Sequence, residues 1–322
     1  MAPAHRDGPA IVTGGAGAIG SAAVRALLAR GVEVCAIDSL VGGRKEHLPH
    51  GAEAARFSFV ESDVREPTAY QERFRGAAEI WHLAANPDIR RGTSDPRVDL
   101  ENGTVATFHV LECARRHDVP RFFFSSSSAV YGLPTVFPTP ESYGPLEPRS
   151  LYGGHKLAAE GMVAAYAHSY GLTAFVFRFA NIIGPGMTHG VLIDFFDKLR
   201  RDPTTLEVLG DGHQAKSYLR TDECVEGMLV AGDRATDRVN VFNLGTTDRI
   251  SVREIAEKVI AAHGGRARIA YTGGEVGWVG DVPQQLLAID KIGHLGWHPK
   301  LTSAQAIDRT ITEIADARKC AR

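Results

Sequence analysis

The sequence predicts an α/β protein in which a doubly wound parallel sheet, covered by helices, carries a smaller C-terminal lobe. Strand-like and helix-like segments alternate through the first two-thirds of the 322 residues. Such alternation is typical of parallel strands joined by helices. After residue 178 it gives way to shorter segments rich in turns. We therefore expect one domain over 1–178, rejoined by about 217–250, and a second lobe over 179–322.

Hydrophobic periodicity predicts where each element of the first domain lies. Strands are expected at 10–13, 32–37, 57–61, 79–83, 121–126 and 174–178. Helices are expected at 18–30, 67–74, 97–117 and 151–170. In the helix at 97–117, the residues predicted to lie near one face are Leu100, Thr104, Thr107, Val110 and Leu111.

The second lobe carries fewer signals, and the clearest of them lies at 251–254. Ser251, followed three residues later by Glu254, forms a capping box, which predicts a helix over 252–263. A helix near 191–201 and a short strand at 206–209 are also expected. Thr221 or Asp222 is expected to cap a further helix.

Composition excludes several classes of function. With 36 basic and 38 acidic side chains the net charge is −2, which gives no electrostatic basis for nucleic-acid binding. No apolar run reaches the ~20 residues that span a bilayer. The four cysteines show neither paired metal spacing nor a disulfide framework. This cysteine usage and the polar segment at 1–8 predict reduced thiols, no bound metal and a cytoplasmic location.

The segment from Ile11 to Gly20 combines a buried strand, a glycine turn and the start of a helix. Gly14 permits the tight turn, Gly17 lets the backbone approach a phosphate, and Gly20 lets helix and strand pack closely. The bare N–H groups and helix dipole at such a turn bind a pyrophosphate. The next strand ends at Asp38, whose carboxylate can accept both ribose hydroxyls of an adenosine and would repel a 2′-phosphate. This order of features predicts a dinucleotide site that prefers NAD to NADP.

Tyr152 and Lys156 lie four residues apart near the start of a predicted helix and therefore share a face. A nearby ammonium ion and a cationic nicotinamide would both lower the pKa of the phenol from its usual ~10. The pair could then serve as a general base for a sugar or alcohol hydroxyl. Taken alone, it also fits an ordinary pair on a helix surface, and the glycine turn upstream favours catalysis. The helical phase of His155 points its side chain away from this face.

Four consecutive serines, 125–128, follow an apolar strand at its carboxyl end. Ligands bind at this edge of a parallel sheet. A hydroxyl there can share a proton with a substrate hydroxyl and with Tyr152. Alternatively, these side chains form hydrogen bonds with their own backbone. The pattern does not select among the four serines.

Together these features resemble the extended short-chain dehydrogenases/reductases, and within them the NAD-dependent nucleotide-sugar epimerase/dehydratase family, which has a Rossmann fold. The resemblance covers nearly the whole chain. The matching segments are Thr13–Gly20, Asp38, Asp63–Val64, His82–Ala85, Ser125–Gly132, Tyr152–Lys156, Arg178–Asn181, Gly184–Pro185, Gly210–Gly212 and Gly280–Pro283.

The resemblance implies a role for each matching residue. Tyr152 would be the catalytic base, Lys156 its partner and Ser127 the catalytic hydroxyl. The residues implied to bind NAD are Gly14, Gly17, Ala18, Ile19, Gly20, Asp38, Ser39, Gly43, Asp63, Val64, Leu83, Ala84, Ala85, Ser125, Tyr152 and Lys156. The residues implied to bind a nucleotide sugar are Ser127, Asn181, Val191, Leu209, Lys216, Tyr218 and Asp281.

The resemblance also implies how the chain is organised. The domain over 1–178 would bind NAD, and the lobe over 179–322 would bind the nucleotide sugar. A homodimer would form through the helices at 97–117 and 151–170. Two positions depart from the family pattern: Gly103 stands where relatives often carry an asparagine near the cofactor, and Trp278 where many carry an arginine that binds phosphate.

The residues after the catalytic hydroxyl separate the activities found in such families. Dehydratases place an acid pair at the positions of Ser128 and Ala129, and decarboxylases keep a glutamate at the second of them. Here no carboxylate stands at either position, which favours 4-epimerisation of a UDP-hexose through a transient 4-keto sugar, with NAD regenerated in each cycle. The alternatives are a nucleotide-sugar dehydratase or decarboxylase on the same fold and a non-catalytic dinucleotide-sensing binding protein.

Overall fold

The computed structural model of the chain describes residues 8–86, 88–278 and 280–320. Most of the polar N-terminal segment at 1–8 and the side chain of Cys320 lie outside that description. The other three cysteines are buried free thiols. No helix of the described ranges is both long and apolar enough to cross a bilayer.

Strands and helices alternate along the described chain, and their bounds are as follows. The strands are β1 (Ala10–Thr13), β2 (Val34–Asp38), β3 (Phe57–Glu61), β4 (Glu79–His82), β5 (Arg121–Ser127), β6 (Thr173–Phe179), β7 (Asn181–Ile183), β8 (Thr205–Val208), β9 (Ala215–Lys216), β10 (Tyr218–Arg220), β11 (Val239–Leu244), β12 (Ile250–Ser251), β13 (Arg268–Tyr271) and β14 (Gln284–Gln285). The α-helices are α1 (Ala18–Ala29), α2 (Arg91–Ser94), α3 (Pro96–Asp99), α4 (Ala106–Arg116), α5 (Leu151–Tyr170), α6 (Val191–Arg201), α7 (Thr221–Arg234), α8 (Val252–Ala262), α9 (Asp290–Gly293) and α10 (Ser303–Cys320).

Seven strands form one parallel sheet in the order β11-β6-β5-β4-β1-β2-β3. The predicted doubly wound parallel α/β fold is therefore confirmed. The strand order reverses at β1, because β2 and β3 lie on one side of it and β4, β5 and β6 on the other. In such sheets the crevice at the carboxyl ends of the strands, where the order reverses, is where ligands bind. Strand β11 pairs with β6, so the chain returns to this sheet after residue 179.

The side chains of the sheet pack in two layers, one on each face. Phe122 and Phe124 of β5 join α4 and α5 on one face, and Phe123 joins α1 and α7 on the other. The ring of Phe123 stacks on Trp81 at 4.4 Å and on Phe175 at 4.5 Å. Burial on both faces explains why these strands read as continuous apolar runs.

A smaller core lies in the C-terminal part of the chain, where α6, α8 and α10 pack around the pair β8–β13. The capping box predicted at the start of α8 is present, with Ser251 and Glu254 each bonded to the other's backbone N–H. The start of α7 is different. Arg220 occupies its N-cap position, so neither Thr221 nor Asp222 caps this helix. The guanidinium of Arg220 is buried and instead pairs with Glu313 of α10 at 2.9 Å.

Two predicted helices take other forms. The segment 67–74 folds as two 3₁₀ turns, Pro67–Ala69 and Gln71–Phe74. Burial decides this, because the phenol of Tyr70 donates to the Val64 carbonyl at 2.6 Å and the ring of Phe74 is fully buried. These contacts hold the segment against the sheet as two short turns rather than one continuous helix.

The predicted helix at 97–117 is divided by a π-helical segment over Leu100–Val105. A π turn holds more residues than an α turn, so the face that a helix presents shifts across it. Leu100 is therefore exposed, although it was predicted to share a face with Val110 and Leu111, which are buried. Gly103 lies inside this segment, and glycine weakens the preference for a regular α-helix.

A buried ion pair ties α5 to the sheet. The guanidinium of Arg178 on β6 donates to both carboxylate oxygens of Glu160 on α5, at 3.0 and 2.8 Å, and both side chains are less than 10% exposed. Arg178 also donates to the phenol oxygen of Tyr131 at 3.1 Å, and Ser126 of β5 donates to Glu160. The Tyr131 hydroxyl in turn donates to Asn243 of β11 at 2.7 Å. This network fixes the position of α5 over β5, β6 and β11.

We expect Arg178→Met to lower the free energy of unfolding by about 3–5 kcal/mol, because it leaves the buried Glu160 carboxylate without its partner. Urea denaturation followed by circular dichroism measures this. The double variant Arg178→Met/Glu160→Leu should recover part of the loss. Arg75→Met, which removes an exposed ion pair with Glu72, is the control and should leave stability nearly unchanged. Equal losses in Arg178→Met and the control would contradict the structural role of this pair.

Candidate active site

One large cleft of about 1240 Å³ opens at the carboxyl edge of the sheet, between the glycine turn and the C-terminal elements. Every catalytic, NAD-binding and nucleotide-sugar-binding residue named from the sequence lines it. The structure thus brings together residues separated by up to 267 positions, from Gly14 to Asp281. The individual roles of these residues remain predictions.

The glycine turn after β1 depends on the absence of side chains at two positions. Gly14 has a φ of +70°, and a Cβ there would lie 2.7 Å from the backbone nitrogen of Ala84. A Cβ on Gly20 would lie 1.9 Å from the carbonyl oxygen of Gly14. Gly17 occupies the N-cap of α1 and leaves the first N–H groups of that helix facing the cleft. This is the geometry that binds a pyrophosphate.

Asp38 lies at the end of β2, and its buried carboxylate holds the glycine turn. The N–H of Ala16 donates to one carboxylate oxygen at 2.9 Å, and the N–H of Leu40 donates to the other at 2.8 Å. Each oxygen retains a second lone pair, so the group can still accept two ribose hydroxyls. Gly43 packs against Ala16, where a Cβ would approach to 2.8 Å. The residues present therefore fit the adenosine end of NAD.

On the adenine side, the carboxylate of Asp63 is engaged by a neighbouring arginine. Arg65 contacts Asp63 at 2.7 Å and Glu101 at 2.9 Å. Hydrogen bonds from the Arg65 guanidinium lower the pKa of Asp63 below its usual value. Arg65 also lines the cleft and was not among the residues predicted from the sequence.

A buried histidine fixes the end of β4 under the cleft. The ring of His82 bonds Thr13 Oγ1 at 2.7 Å through Nδ1 and Thr107 Oγ1 at 3.1 Å through Nε2. Burial and the charge of Lys156 lower the pKa of His82 to about 3, so the ring is neutral. Thr13 also accepts the N–H of Ala84 at 3.3 Å. The strand end that carries residues 83–85 is thereby held against the glycine turn.

Tyr152 and Lys156 occupy the first two turns of α5, whose N-cap Ser150 accepts the N–H of Gly153 at 3.1 Å. The Lys156 side chain is only 3% exposed, and Nζ donates to the carbonyl oxygen of Ser125 at 2.6 Å. Burial lowers the pKa of Lys156 to about 8, against the opposing charges of Glu160 and Asp99.

The pKa of Tyr152 differs from the sequence-based expectation. We expected Lys156 to lower it; instead, burial and the charge of Asp99 raise it to about 12, and a hydrogen bond with Ser127 only partly opposes this rise. The ammonium of Lys156 lies 5.8 Å from the ring centroid and is directed to Ser125. In the protein by itself, Tyr152 is therefore a neutral phenol.

Two residues near this pair were not recognised from the sequence. Asp99, the last residue of α3, is a buried carboxylate whose charge acts on both Tyr152 and Lys156. His155 was expected to point away from the pair. Its Nδ1 instead bonds Thr104 Oγ1 at 2.8 Å, and it lines a small cavity beside Tyr152 and Lys156. The π-helical segment brings Thr104 to this position, and no local sequence pattern predicts that segment.

On the nucleotide-sugar side, two of the residues implied to bind the substrate, Lys216 and Asn181, already have protein partners. Lys216 forms an ion pair with Asp281, and the side chain of Asp281 is nearly buried. The amide of Asn181 donates to the carbonyl oxygen of Ser217 at 3.2 Å. Burial raises the pKa of Tyr218. A diphosphate at this position would therefore compete with Asp281 for the charge of Lys216.

Comparison with known proteins agrees with this geometry. Residues 10–245 match the model of the NAD dependent epimerase/dehydratase family. The chain belongs to this family. Its cofactor is therefore NAD, and the cleft described above is where NAD fits. The extended short-chain dehydrogenase/reductase resemblance noted from the motifs is confirmed.

The relatives of this chain include enzymes that are named for different reactions. The UDP-glucose 4-epimerase of Mycolicibacterium smegmatis is 32% identical over 309 residues, which cover 94% of this chain and 96% of that protein. UDP-glucuronic acid decarboxylase 1 of Arabidopsis thaliana is 31% identical over 94% of this chain and 69% of its own length. The crystal structure of a UDP-galactose 4-epimerase superposes with a TM-score of 0.86 and 38% identity, covering 96% of this chain and 99% of that one. The family member is thus an NAD-dependent enzyme of nucleotide-sugar chemistry.

We expect Gly20→Ala to weaken NAD binding at least ~10-fold, because the new Cβ would overlap the Gly14 carbonyl and displace the turn. Isothermal titration with NAD measures the affinity. Gly161→Ala on α5 is the matched control, since nothing lies within 4 Å of its Cβ, and it should leave NAD affinity unchanged. Unaltered affinity in Gly20→Ala would show that this close approach does not shape the cofactor site.

Proposed function

We propose that this protein is an NAD-dependent nucleotide-sugar 4-epimerase that acts on a UDP-hexose, UDP-glucose/UDP-galactose or their N-acetyl forms, through a transient 4-keto sugar. The observation that carries the proposal is the arrangement around Tyr152. The Ser127 hydroxyl acts to lower the pKa of the Tyr152 phenol, Lys156 lies one turn further along the same helix, and Ser128 and Ala129 follow Ser127 where a lyase would need a carboxylate.

The residues of the cleft can perform the proton steps of such a reaction. Tyr152, as phenolate, accepts the proton of the C4 hydroxyl, and the Ser127 hydroxyl bridges the two oxygens. When bound, NAD would supply the hydride acceptor for C4 and the donor that restores the hydride. After the 4-keto sugar has turned over in the cleft, Tyr152 returns its proton to the C4 oxygen. No net oxidant or reductant is consumed.

The positions after Ser127 argue against the two rival reactions. Dehydration requires a base that removes the C5 proton and an acid that protonates the leaving C6 hydroxyl. Both Ser128 and Ala129 line the cleft, and neither carries the carboxylate that would serve as the acid or the base of a dehydration. Asp99 is the carboxylate that acts on Tyr152, but it is 1% exposed and lies behind the catalytic pair rather than on the large cleft. Inversion at C4 needs no further acid or base.

The proposed function also assigns a ligand to each predicted domain and includes the expected homodimer. Residues 1–178, rejoined by β11, would hold NAD, and the remainder of 179–322 would hold the nucleotide sugar in a cytoplasmic enzyme. The aliphatic and phenylalanine side chains Leu100, Phe108 and Leu151, on the helices expected to form a homodimer, are more than 40% exposed. Exposed apolar side chains grouped on two neighbouring helices favour a protein interface there.

Proton NMR of the purified protein incubated with UDP-, dTDP-, GDP- and CDP-sugars tests the reaction directly. We expect a mixture of C4 epimers from a UDP-hexose without loss of mass. A 4-keto-6-deoxy sugar would identify a dehydratase, and a pentose from a uronate would identify a decarboxylase. Either product would contradict the proposal.

We expect Tyr152→Phe to lower kcat by ~10²–10⁴-fold, since it removes the general base and keeps the ring. The rate of C4 inversion with a UDP-hexose measures this. Tyr170→Phe, at the exposed end of the same helix, is the matched control and should retain full activity. Full activity in Tyr152→Phe would show that another group moves the proton.

We expect Phe108→Glu to convert the protein to a monomer, because a charge on an apolar interface opposes association. Analytical ultracentrifugation measures the mass of the particle. Val136→Glu changes an exposed apolar residue outside these helices and should leave the assembly as it is. A native protein that sediments as a monomer would rule out the expected homodimer.

A further inference from the structure

A buried carboxylate lies behind the catalytic pair with one of its oxygens unused. Asp99 ends α3 and is 1% exposed. Its Oδ1 accepts a hydrogen bond from Asn86 Nδ2 at 2.8 Å. Within the ranges that the structure describes, no donor reaches Oδ2, and no cationic side chain forms an ion pair with Asp99. An unpaired buried carboxylate is costly, so it calls for an explanation in the chemistry of the site.

The space around Asp99 is shaped by two glycines. A Cβ on Gly92 would lie 1.9 Å from Oδ2, so the carboxylate occupies its position only because residue 92 lacks a side chain. Gly103 leaves a cavity of about 10 Å³ that is also lined by Asp99, Tyr152 and Lys156. This volume is close to the ~10–15 Å³ that one water molecule needs. Asp99 therefore lines the same small cavity as the catalytic pair.

The other ionisable groups that face this pair are compensated. Glu160, on α5, accepts hydrogen bonds from Nε and Nη2 of the Arg178 guanidinium. His82, on β4, is neutral at ordinary pH because its pKa is lowered to about 3. His155, also on α5, is bonded to Thr104. The charge of Asp99 raises the pKa of both Tyr152 and Lys156, since a negative charge opposes a phenolate and favours an ammonium ion.

We propose that Asp99 is a positioning residue for the catalytic pair, whose buried carboxylate keeps Lys156 an ammonium ion and Tyr152 a phenol until a cation enters the cleft. It acts through these two side chains and lies apart from the surface that substrate would touch. Formation of the base is thereby tied to occupation of the cleft by the oxidised, cationic form of the cofactor. The inference rests on the catalytic roles proposed above for Tyr152 and Lys156.

The direct test is an NMR titration of isotopically labelled lysine in the native protein and in Asp99→Asn. The Lys156 signal is assigned by its loss in Lys156→Arg. We expect the pKa of Lys156 to fall by about one unit or more in Asp99→Asn, because a negative charge that lines the same cavity is removed while the bond to Asn86 is kept. Asp118→Asn is the matched control. It removes one charge beyond the C-terminal end of α4, and asparagine tolerates the φ of +52° at this position. It should leave the pKa of Lys156 unchanged.

A second variant and a second measurement keep the proposal open to refutation. Asp99→Ser removes the same charge with a smaller side chain and should lower the pKa of Lys156 in the same direction. In turnover experiments, both limbs of the pH profile of kcat should move to lower pH in either variant. A purely structural role would reduce the amount of folded protein and leave the profile in place. The titration needs no substrate, so its result tests the role of Asp99 even if C4 inversion is not the reaction. An unchanged pKa of Lys156 in both variants would overturn that role.

Discussion

The buried ion pair between Glu160 and Arg178 is the constraint on which the position of α5, the helix of the proposed catalytic pair, depends. It joins the helix that carries Tyr152 and Lys156 to the central strands, and through Tyr131 it extends to Asn243 at the edge of the sheet. Because every strong donor and acceptor in this network has a partner, the helix has one favourable position over the sheet. The distances that matter for catalysis follow from that position.

In the cleft, burial and the charge of Asp99 have different effects on the ionisation of Tyr152 and Lys156. Burial disfavours both the phenolate of Tyr152 and the ammonium of Lys156, whereas the charge of Asp99 opposes the first and favours the second. The resting state is therefore a neutral phenol beside a charged lysine. Added positive charge would favour release of the proton of Tyr152, which suits the proposed role of this residue as a base beside an oxidised nicotinamide.

Local patterns predicted much of this molecule. Each strand of the large sheet from β1 to β6 follows from an apolar run, and Gly14, Gly20 and Asp38 follow from the requirements of a turn that holds a pyrophosphate. Sequence reasoning failed where contacts between distant segments decide local structure. Tyr70 and Phe74 are drawn against the sheet and break a predicted helix into 3₁₀ turns. The π-helical segment shifts Leu100 to the surface and brings Thr104 to His155.

The sequence by itself determined the fold class, the cofactor and a set of residues that all line the cleft, because each depends on periodicity or on a short motif whose geometry is local. The tertiary structure alone decided the electrostatics of the site. Burial reversed the expected shift in the pKa of Tyr152. Lys216 forms an ion pair with Asp281, and Asp99 lines a cavity together with Tyr152 and Lys156. The physical reason is that desolvation and Coulomb interactions depend on what lies nearby in space, which spacing along the chain does not encode.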